Sequence, residues 1–325
     1  MPEVSDHSGE LDGLPVFWRS APPSDDGEDR APVLYLHGVP TNSDDWVGFR
    51  ERYTTRPWWK RWWRPMRSSD EWLEVSAHNV GFLERSGGFA VDLPGFGRSG
   101  KPGYLKYTIE EYARFIERFL DLVEVERVQL VMHDWGAVGL AFAQAHPERV
   151  ERLVLINTVP FLPNYRWHRI ARVWRTPLLG ELVMGSTNRW TLRQASKESN
   201  VTPGPLGEAW LDTVLDHFDQ GTSRAILRLF RSSPGDVLAA TGARLGELEM
   251  PALVVWGAQD PYIPARFGRA YADALGDGNA ELVELVDAGH IPWLDRPDVV
   301  DLIVDFLGAA SGEQSDRRAA GRCRR

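Results

Sequence analysis

Three side chains, Asp134, Asp260 and His290, have the types and the order that covalent hydrolysis through a carboxylate requires. The stretch Leu130-Val-Met-His-Asp-Trp-Gly-Ala137 runs from an apolar, strand-like segment into small residues that start a helix. A turn of this kind thrusts its corner residue above the sheet edge. Where a serine commonly stands, within G-x-S-x-G, this chain has Asp134. An acyl-enzyme on a carboxylate would be an anhydride. A carboxylate instead attacks a saturated electrophilic carbon in line, expels a leaving group and becomes an alkyl ester. Water must then cleave that ester, so a general base is needed nearby. Asp287-Ala-Gly-His290 supplies a histidine just after an apolar strand. Trp256-Gly-Ala-Gln-Asp260-Pro261, after the strand before it, supplies an acid to orient the imidazole and stabilise the imidazolium. Taken singly, Asp134 could be a helix cap, Asp260 a turn residue and His290 a solvated loop residue. In this order, at strand ends, they read as one set. Met132 stands two residues before Asp134, where a small residue is usual, so the turn is expected to be crowded.

The elements that must position these groups follow from hydrophobic pattern. Residues 14–20 read as an edge strand, and residues 1–12, acidic and polar, as frayed chain. Buried strands are expected at 32–37, 87–93, 128–132, 153–156, 252–256 and 282–286. Helices are expected at 108–123, 136–145, 266–275 and 298–307, the first opened by a Thr108/Glu111 capping box. Strand alternating with helix predicts a mostly parallel sheet covered on both faces. Residues 158–235 break the rhythm. They are helical in pattern and carry Trp167, Trp174, Trp190 and Trp210, and they read as a helical cap inserted over the sheet. The expected organisation is an N-terminal segment (1–30), an α/β core (31–157 and 236–308), the cap (158–235), and a disordered basic tail (309–325).

Residues 50–82 exceed what a strand-to-strand link needs, and Val47-Gly48-Phe49 recurs as Val80-Gly81-Phe82, as at a duplicated junction. Within this insertion, residues 56–64 (Arg-Pro-Trp-Trp-Lys-Arg-Trp-Trp-Arg) would place four tryptophans on one helix face. A body-packed excursion, a membrane-interface patch and a partner-docking helix all fit that pattern. Composition narrows the field elsewhere. Apolar residues at 43% and charged residues at 26% suit a globular protein with a sizeable core. A net charge of -9 argues against binding nucleic acid. The single cysteine, Cys323, rules out an intrachain disulfide framework, and the eight histidines lack metal-ligand spacing. No membrane span and no secretory leader is read, so a cytoplasmic location is expected, with no cofactor and no metal. The oligomeric state is not readable.

The sequence resembles the α/β-hydrolase superfamily in its branch of haloalkane dehalogenases and epoxide hydrolases. The resemblance spans residues 30–49 and 83–308. It is carried by Leu36-His-Gly-Val-Pro40, Asp92-Leu-Pro-Gly-Phe-Gly-Arg-Ser99, Val131-Met-His-Asp-Trp-Gly136, Gly257-Ala-Gln-Asp260 and Ala288-Gly-His290. It implies an α/β-hydrolase fold with Asp134 as nucleophile, and an oxyanion hole formed by the backbone N–H groups of Val39 and Trp135. Each such donor contributes roughly 3–4 kcal/mol in comparable sites.

The two activities differ in what receives the leaving group. A halide needs N–H donors. Trp135 offers one, although both families share it, and Trp174 and Trp190 are the candidates for a second donor from the cap. Val39 stands where many dehalogenases place an asparagine, and Asn157 where one type keeps a glutamate. An epoxide's alkoxide needs a proton, given in that family by two cap tyrosines. Here the cap has Tyr165 alone, and the matching second position holds Phe230, which has no hydroxyl. The balance favours a dehalogenase-like hydrolase acting on a small apolar substrate with water. An epoxide hydrolase and a non-catalytic ligand-binding member of the fold are the alternatives.

Overall fold

The computed structural model describes residues 3–22, 30–47 and 81–309. The expected insertion up to residue 80, its tryptophan-rich stretch at 56–64, and the tail from residue 310 lie outside the described residues. Eight strands, β1 (Ser5–Leu11), β2 (Leu14–Ala21), β3 (Val33–Leu36), β4 (Gly88–Val91), β5 (Val128–His133), β6 (Val150–Ile156), β7 (Ala252–Gly257) and β8 (Ala280–Leu285), form one sheet. Its order is β1-β2-β4-β3-β5-β6-β7-β8. The β1–β2 and β2–β4 pairings are antiparallel, and every pairing from β4 onward is parallel.

The N-terminus departs from expectation. Residues 5–11 are a strand, not frayed chain, and β2 has a neighbour on each side, so β1 is the edge. The signal is Asp12-Gly13, with φ of 52° and 80°. Two consecutive left-handed residues make the tight turn whose twist suits a hairpin, and an Asp-Gly pair is the usual way to build it. The acidic composition of residues 1–12 hid a hairpin arm whose partner begins one residue after that turn.

Period-two alternation divides the central strands between two cores. Leu34, Leu36, Leu130, Met132, Leu153, Leu155 and Val254 enter one cluster. Val33, Tyr35, Val131, Val154, Ile156, Leu253 and Val255 enter the other. Both faces are therefore covered, which is why β3, β5 and β7 read as unbroken apolar runs. Helices α1 (Phe82–Ser86), α2 (Ile109–Leu122) and α3 (Val138–Ala145) flank the first half of the sheet. The Thr108/Glu111 capping box is formed in both directions. Below it, Ile109, Tyr112, Ile116, Phe119 and Leu120 line the buried face of α2 at helical spacing.

Six helices fill the interval between β6 and β7: α4 (Arg169–Arg175), α5 (Leu179–Gly185), α6 (Arg189–Ala195), α7 (Glu208–Leu215), α8 (Gln220–Ser232) and α9 (Gly235–Thr241). Helix α9 continues this helical segment past residue 235. After β7 come α10 (Arg266–Ala274), α11 (Gly276–Asn279), α12 (Pro292–Asp295) and α13 (Asp298–Gly308). Among the described residues, no helix is long and apolar enough to cross a membrane.

Candidate active site

Asp134, Asp260 and His290 follow the C-terminal ends of β5, β7 and β8, the edge where open parallel sheets carry their sites. Strand β5 ends at His133, and Asp134 opens a 3-10 turn that runs into α3. Its φ of 47° is left-handed, a strained conformation for a residue with a side chain, costing on the order of 1–3 kcal/mol. Neighbouring backbone holds it there. The Val159 N–H donates to the Asp134 carbonyl at 2.9 Å. Gly38 makes room: a Cβ at that position would lie 2.7 Å from the Asp134 Cβ and 2.9 Å from Oδ2. The crowding expected from Met132 is relieved in the same way. Its side chain is fully buried, and a Cβ at Gly139, the second residue of α3, would meet its Sδ at 2.8 Å.

The Val39 N–H donates to Asp134 Oδ2 at 2.9 Å, and the Trp135 N–H beside this carboxylate also lowers its proton affinity. Burial pushes the Asp134 carboxyl above its ordinary value, opposed by the nearby His290 and by these two N–H groups. Beside Asp134 on the same cavity lies His290, paired with Asp260. His290 Nδ1 donates to Asp260 Oδ2 at 2.8 Å, which leaves Nε2 as the basic nitrogen. Burial alone would lower the imidazole's proton affinity. The charges of Asp260, Asp134 and Asp45 reverse this and hold it above the ordinary value. Asp260 is fully satisfied: Oδ1 accepts from the N–H groups of Tyr262 (2.7 Å) and Ile263 (3.0 Å), and Oδ2 also accepts from Asn157 Nδ2 (2.7 Å).

Two further histidines act as neutral braces. His133 Nε2 faces the His290 carbonyl at 2.9 Å and must be its donor. Burial, then the neighbouring His290, hold His133 well below the usual imidazole value. His37 Nδ1 donates to the Gly38 carbonyl at 2.7 Å, and its Nε2 accepts from the Leu93 N–H at 3.0 Å. Asp45 lies close by, and the Thr41 hydroxyl donates to it. Burial pushes its carboxyl up to about 7 against that hydrogen bond, with Asp134 and Asp92 adding to the rise.

Asp134 and His290 open on a cavity of about 150 Å³ walled by the helical segment, with Trp167, Trp174, Leu192 and Phe230 among its lining. Trp135 is not itself among the lining residues; it lies fully buried beneath this wall, stacked on Trp167 (5.6 Å between centroids) with Phe230 edge-on (5.2 Å). Its indole nitrogen is buried with no hydrogen-bond partner among the described residues. Tyr165 lines the cavity, and its hydroxyl is likewise buried and unpartnered. Trp190 belongs elsewhere. It is 69% exposed on α6 and does not line the cavity, so its candidacy as a second leaving-group donor is corrected. Trp174 does line the cavity. Trp167 has its indole N–H committed to the Ser233 carbonyl at 3.0 Å and contributes only its ring face.

Sequence reasoning passed over several groups. Tyr262 lines the cavity, with its ring edge-on to His290 at 5.0 Å, and it stands only two residues after Asp260. Burial pushes its phenol up to about 12, against the hydrogen bond it shares with the Ser199 hydroxyl. His168 also lines the cavity and is lowered to about 4, mainly by burial and then by His290. Its sequence setting, between Trp167 and Arg169, gave no sign of this.

Residues 31–297 match the family model described as the alpha/beta hydrolase fold. A cis-3-alkyl-4-alkyloxetan-2-one decarboxylase of Shewanella oneidensis is 30% identical over 226 residues, covering 64% of this chain and 69% of that protein. A haloalkane dehalogenase of Mycolicibacterium paratuberculosis is 28% identical over 300 residues, covering 86% and 85%. The solved haloalkane dehalogenase of Bradyrhizobium elkani superposes with a TM-score of 0.69 at 22% identity, over 94% of this chain and 98% of that one, which establishes a common fold. With four-fifths of its length inside the family model and dehalogenases among its relatives, this chain belongs to the α/β-hydrolase fold family and is a hydrolase.

Proposed function

We propose that the protein hydrolyses small apolar haloalkanes through an alkyl ester on Asp134, with the helical segment between β6 and β7 acting as the cap that walls the substrate cavity. The observation that carries this reading is the division of labour on one carboxylate. Oδ2 is already held by the Val39 N–H, so Oδ1 is the oxygen left to attack carbon. In the first step an Oδ1 electron pair forms the C–O bond, and the carbon–halogen pair leaves as halide, accepted by the unpartnered Trp135 indole N–H. In the second, His290 Nε2 takes a proton from water, whose oxygen adds to the ester carbon. Charge then develops on Oδ2, which the Val39 N–H already holds, with the Trp135 N–H beside the same carboxylate. Collapse expels the alkoxide, which takes the proton from His290. Asp134 then loses its own proton to solvent. The net change is haloalkane plus water to alcohol, halide and a proton.

A second reading has its own support. The unpartnered Tyr165 hydroxyl lies on the same cavity and could protonate an alkoxide released when a strained oxygen ring is opened. The oxetanone decarboxylase relative acts, by its name, on a four-membered ring of that kind.

One panel distinguishes the readings: bromobutane, styrene oxide and a dialkyl β-lactone, with halide, diol and alkene each measured, followed by one turnover in heavy-oxygen water. Halide release with label entering the Asp134 carboxylate supports the first reading, diol without halide supports the second, and alkene without halide indicates loss of CO2 from the lactone, which forms no alkoxide and supports neither. Absence of turnover on all three, with no label in Asp134, removes the ester mechanism.

A further inference from the structure

We infer that Asp295 is a positioning residue that locks the His290 loop onto the helical segment at residues 199–202, and that this lock governs cleavage of the enzyme ester and not its formation. The inference rests on the ester mechanism proposed above. Asp295 ends α12, five residues beyond His290. Its carboxylate collects five hydrogen bonds. Oδ2 accepts from the Gly289 N–H (2.9 Å), from Asn200 Nδ2 (2.9 Å) and from the Val201 N–H (3.1 Å). Oδ1 accepts from the Thr202 N–H (3.0 Å) and the Thr202 hydroxyl (2.8 Å). One side chain therefore binds the residue before His290 and three consecutive residues of the helical segment.

Three further contacts close the seam around His290. The His290 N–H donates to the Ser199 carbonyl at 2.7 Å. Asn200 Nδ2 also donates to the Ile291 carbonyl at 2.9 Å. Gly289 permits the approach, since a Cβ there would lie 2.5 Å from the Ser199 oxygen and 2.7 Å from the Asn200 Cα. The backbone on both sides of the base is thus bonded to the helical segment. Asp134 is held differently, by Val39 and Val159, which follow β3 and β6. Loosening the Asp295 seam leaves the attacking carboxylate in place and lets the base drift. Burial would raise the Asp295 carboxyl, but the N–H groups of Thr202 and Gly289 and the Thr202 hydroxyl more than reverse this, so it stays ionised and accepting through the working pH range.

The test is rapid-quench kinetics on the full chain with bromobutane, comparing Asp295→Asn and Asn200→Ala with the parent and with His290→Gln. Asn200→Ala removes one bridging donor and leaves the carboxylate, so it serves should Asp295→Asn fail to fold. Expected for both is a burst of about one bromide per site at a rate within about twofold of the parent. Steady alcohol formation then falls by roughly 10- to 100-fold, and alkylated Asp134 accumulates by intact mass. A merely structural role would lower the folded fraction without producing ester. If His290→Gln accumulates ester while the seam variants slow burst and steady state equally, the lock is refuted and the mechanism stands. If His290→Gln accumulates none, the ester mechanism fails and this inference falls with it.

Discussion

The Asn157 amide donates to Asp260 Oδ2 at 2.7 Å, onto the same oxygen that receives the His290 Nδ1 proton. The Gly257 N–H donates to Asn157 Oδ1 at 2.9 Å and so fixes which end of the amide faces Asp260. Asn157→Asp would set an oxygen acceptor against that oxygen. Two carboxylates at hydrogen-bond distance cannot both ionise, so they would share a proton and Asp260 would lose part of its hold on the imidazolium. We expect turnover to fall by about 10- to 100-fold with little change in the bromide burst. Equal rates for variant and parent across pH 6 to 9 would show that this contact carries no catalytic weight.

Base catalysis by His290, as proposed above, would have a definite pH signature. Neutral imidazole is the active form, and its folded pKa is raised above 6.5, because Asp260 and the nearby carboxylates outweigh burial. Steady-state turnover should therefore rise with pH through a midpoint above 6.5. In Asp260→Asn, where burial meets less opposition, that midpoint should move down as the maximum rate drops. The stability contribution has the opposite sense. A group whose folded pKa is raised favours the folded chain below its unfolded value, and that contribution is lost as pH rises through the folded value. Urea titrations between pH 5 and 9 should show the parent losing this increment with rising pH and His290→Gln not losing it.

Leaving-group chemistry separates Trp135 from Tyr165. Trp135→Phe keeps an aromatic ring between Trp167 and Phe230 but removes the indole N–H. We expect bromide release to slow by about 10- to 100-fold, with cleavage of a preformed ester unchanged. Tyr165→Phe should leave bromide release within about twofold of the parent and suppress any diol formation from an epoxide by about 100-fold. Trp190→Ala, on the exposed face of α6, should change neither kcat nor KM, and stability should move by less than about 0.5 kcal/mol.

That last contrast marks how far the sequence could be read. Asp134, Asp260 and His290 could be brought to one sheet edge because each lies on the loop or turn that leaves a strand, and strand ends are visible as apolar runs meeting Gly, Pro or Asp. Trp174 and Trp190 could not be ranked. They lie on seven-residue helices with aromatic and basic residues in quick succession, and periodicity over two turns does not say which face meets the cavity. The β1 strand was hidden by composition although the Asp12-Gly13 turn was present to be read. The Asp295 seam joins residues 93 to 95 positions apart, and no local pattern encodes such a pairing. Tyr262 was within reach, since the loop that carries Asp260 was already in view.

The corner at Asp134 also makes a prediction about packing. Met132 is bulky where a small residue is usual, and Gly139 supplies the missing space, since a Cβ there would lie 2.8 Å from Met132 Sδ and 2.7 Å from Leu36 Cδ1. In an open helix, Gly→Ala would stabilise by roughly 1 kcal/mol. Here the added methyl must displace a fully buried thioether in a close-packed core, so Gly139→Ala should destabilise by about 1–3 kcal/mol. Met132→Ala alone leaves a cavity and should cost about 2–5 kcal/mol. The two changes meet at one site and partly fill each other's defect. The double variant should therefore lose less than the sum of the singles, by about 0.5–3 kcal/mol. Denaturant titrations of the four proteins measure that coupling. Strict additivity would mean that Gly139 does not accommodate Met132, and that the strained corner is supported by other contacts.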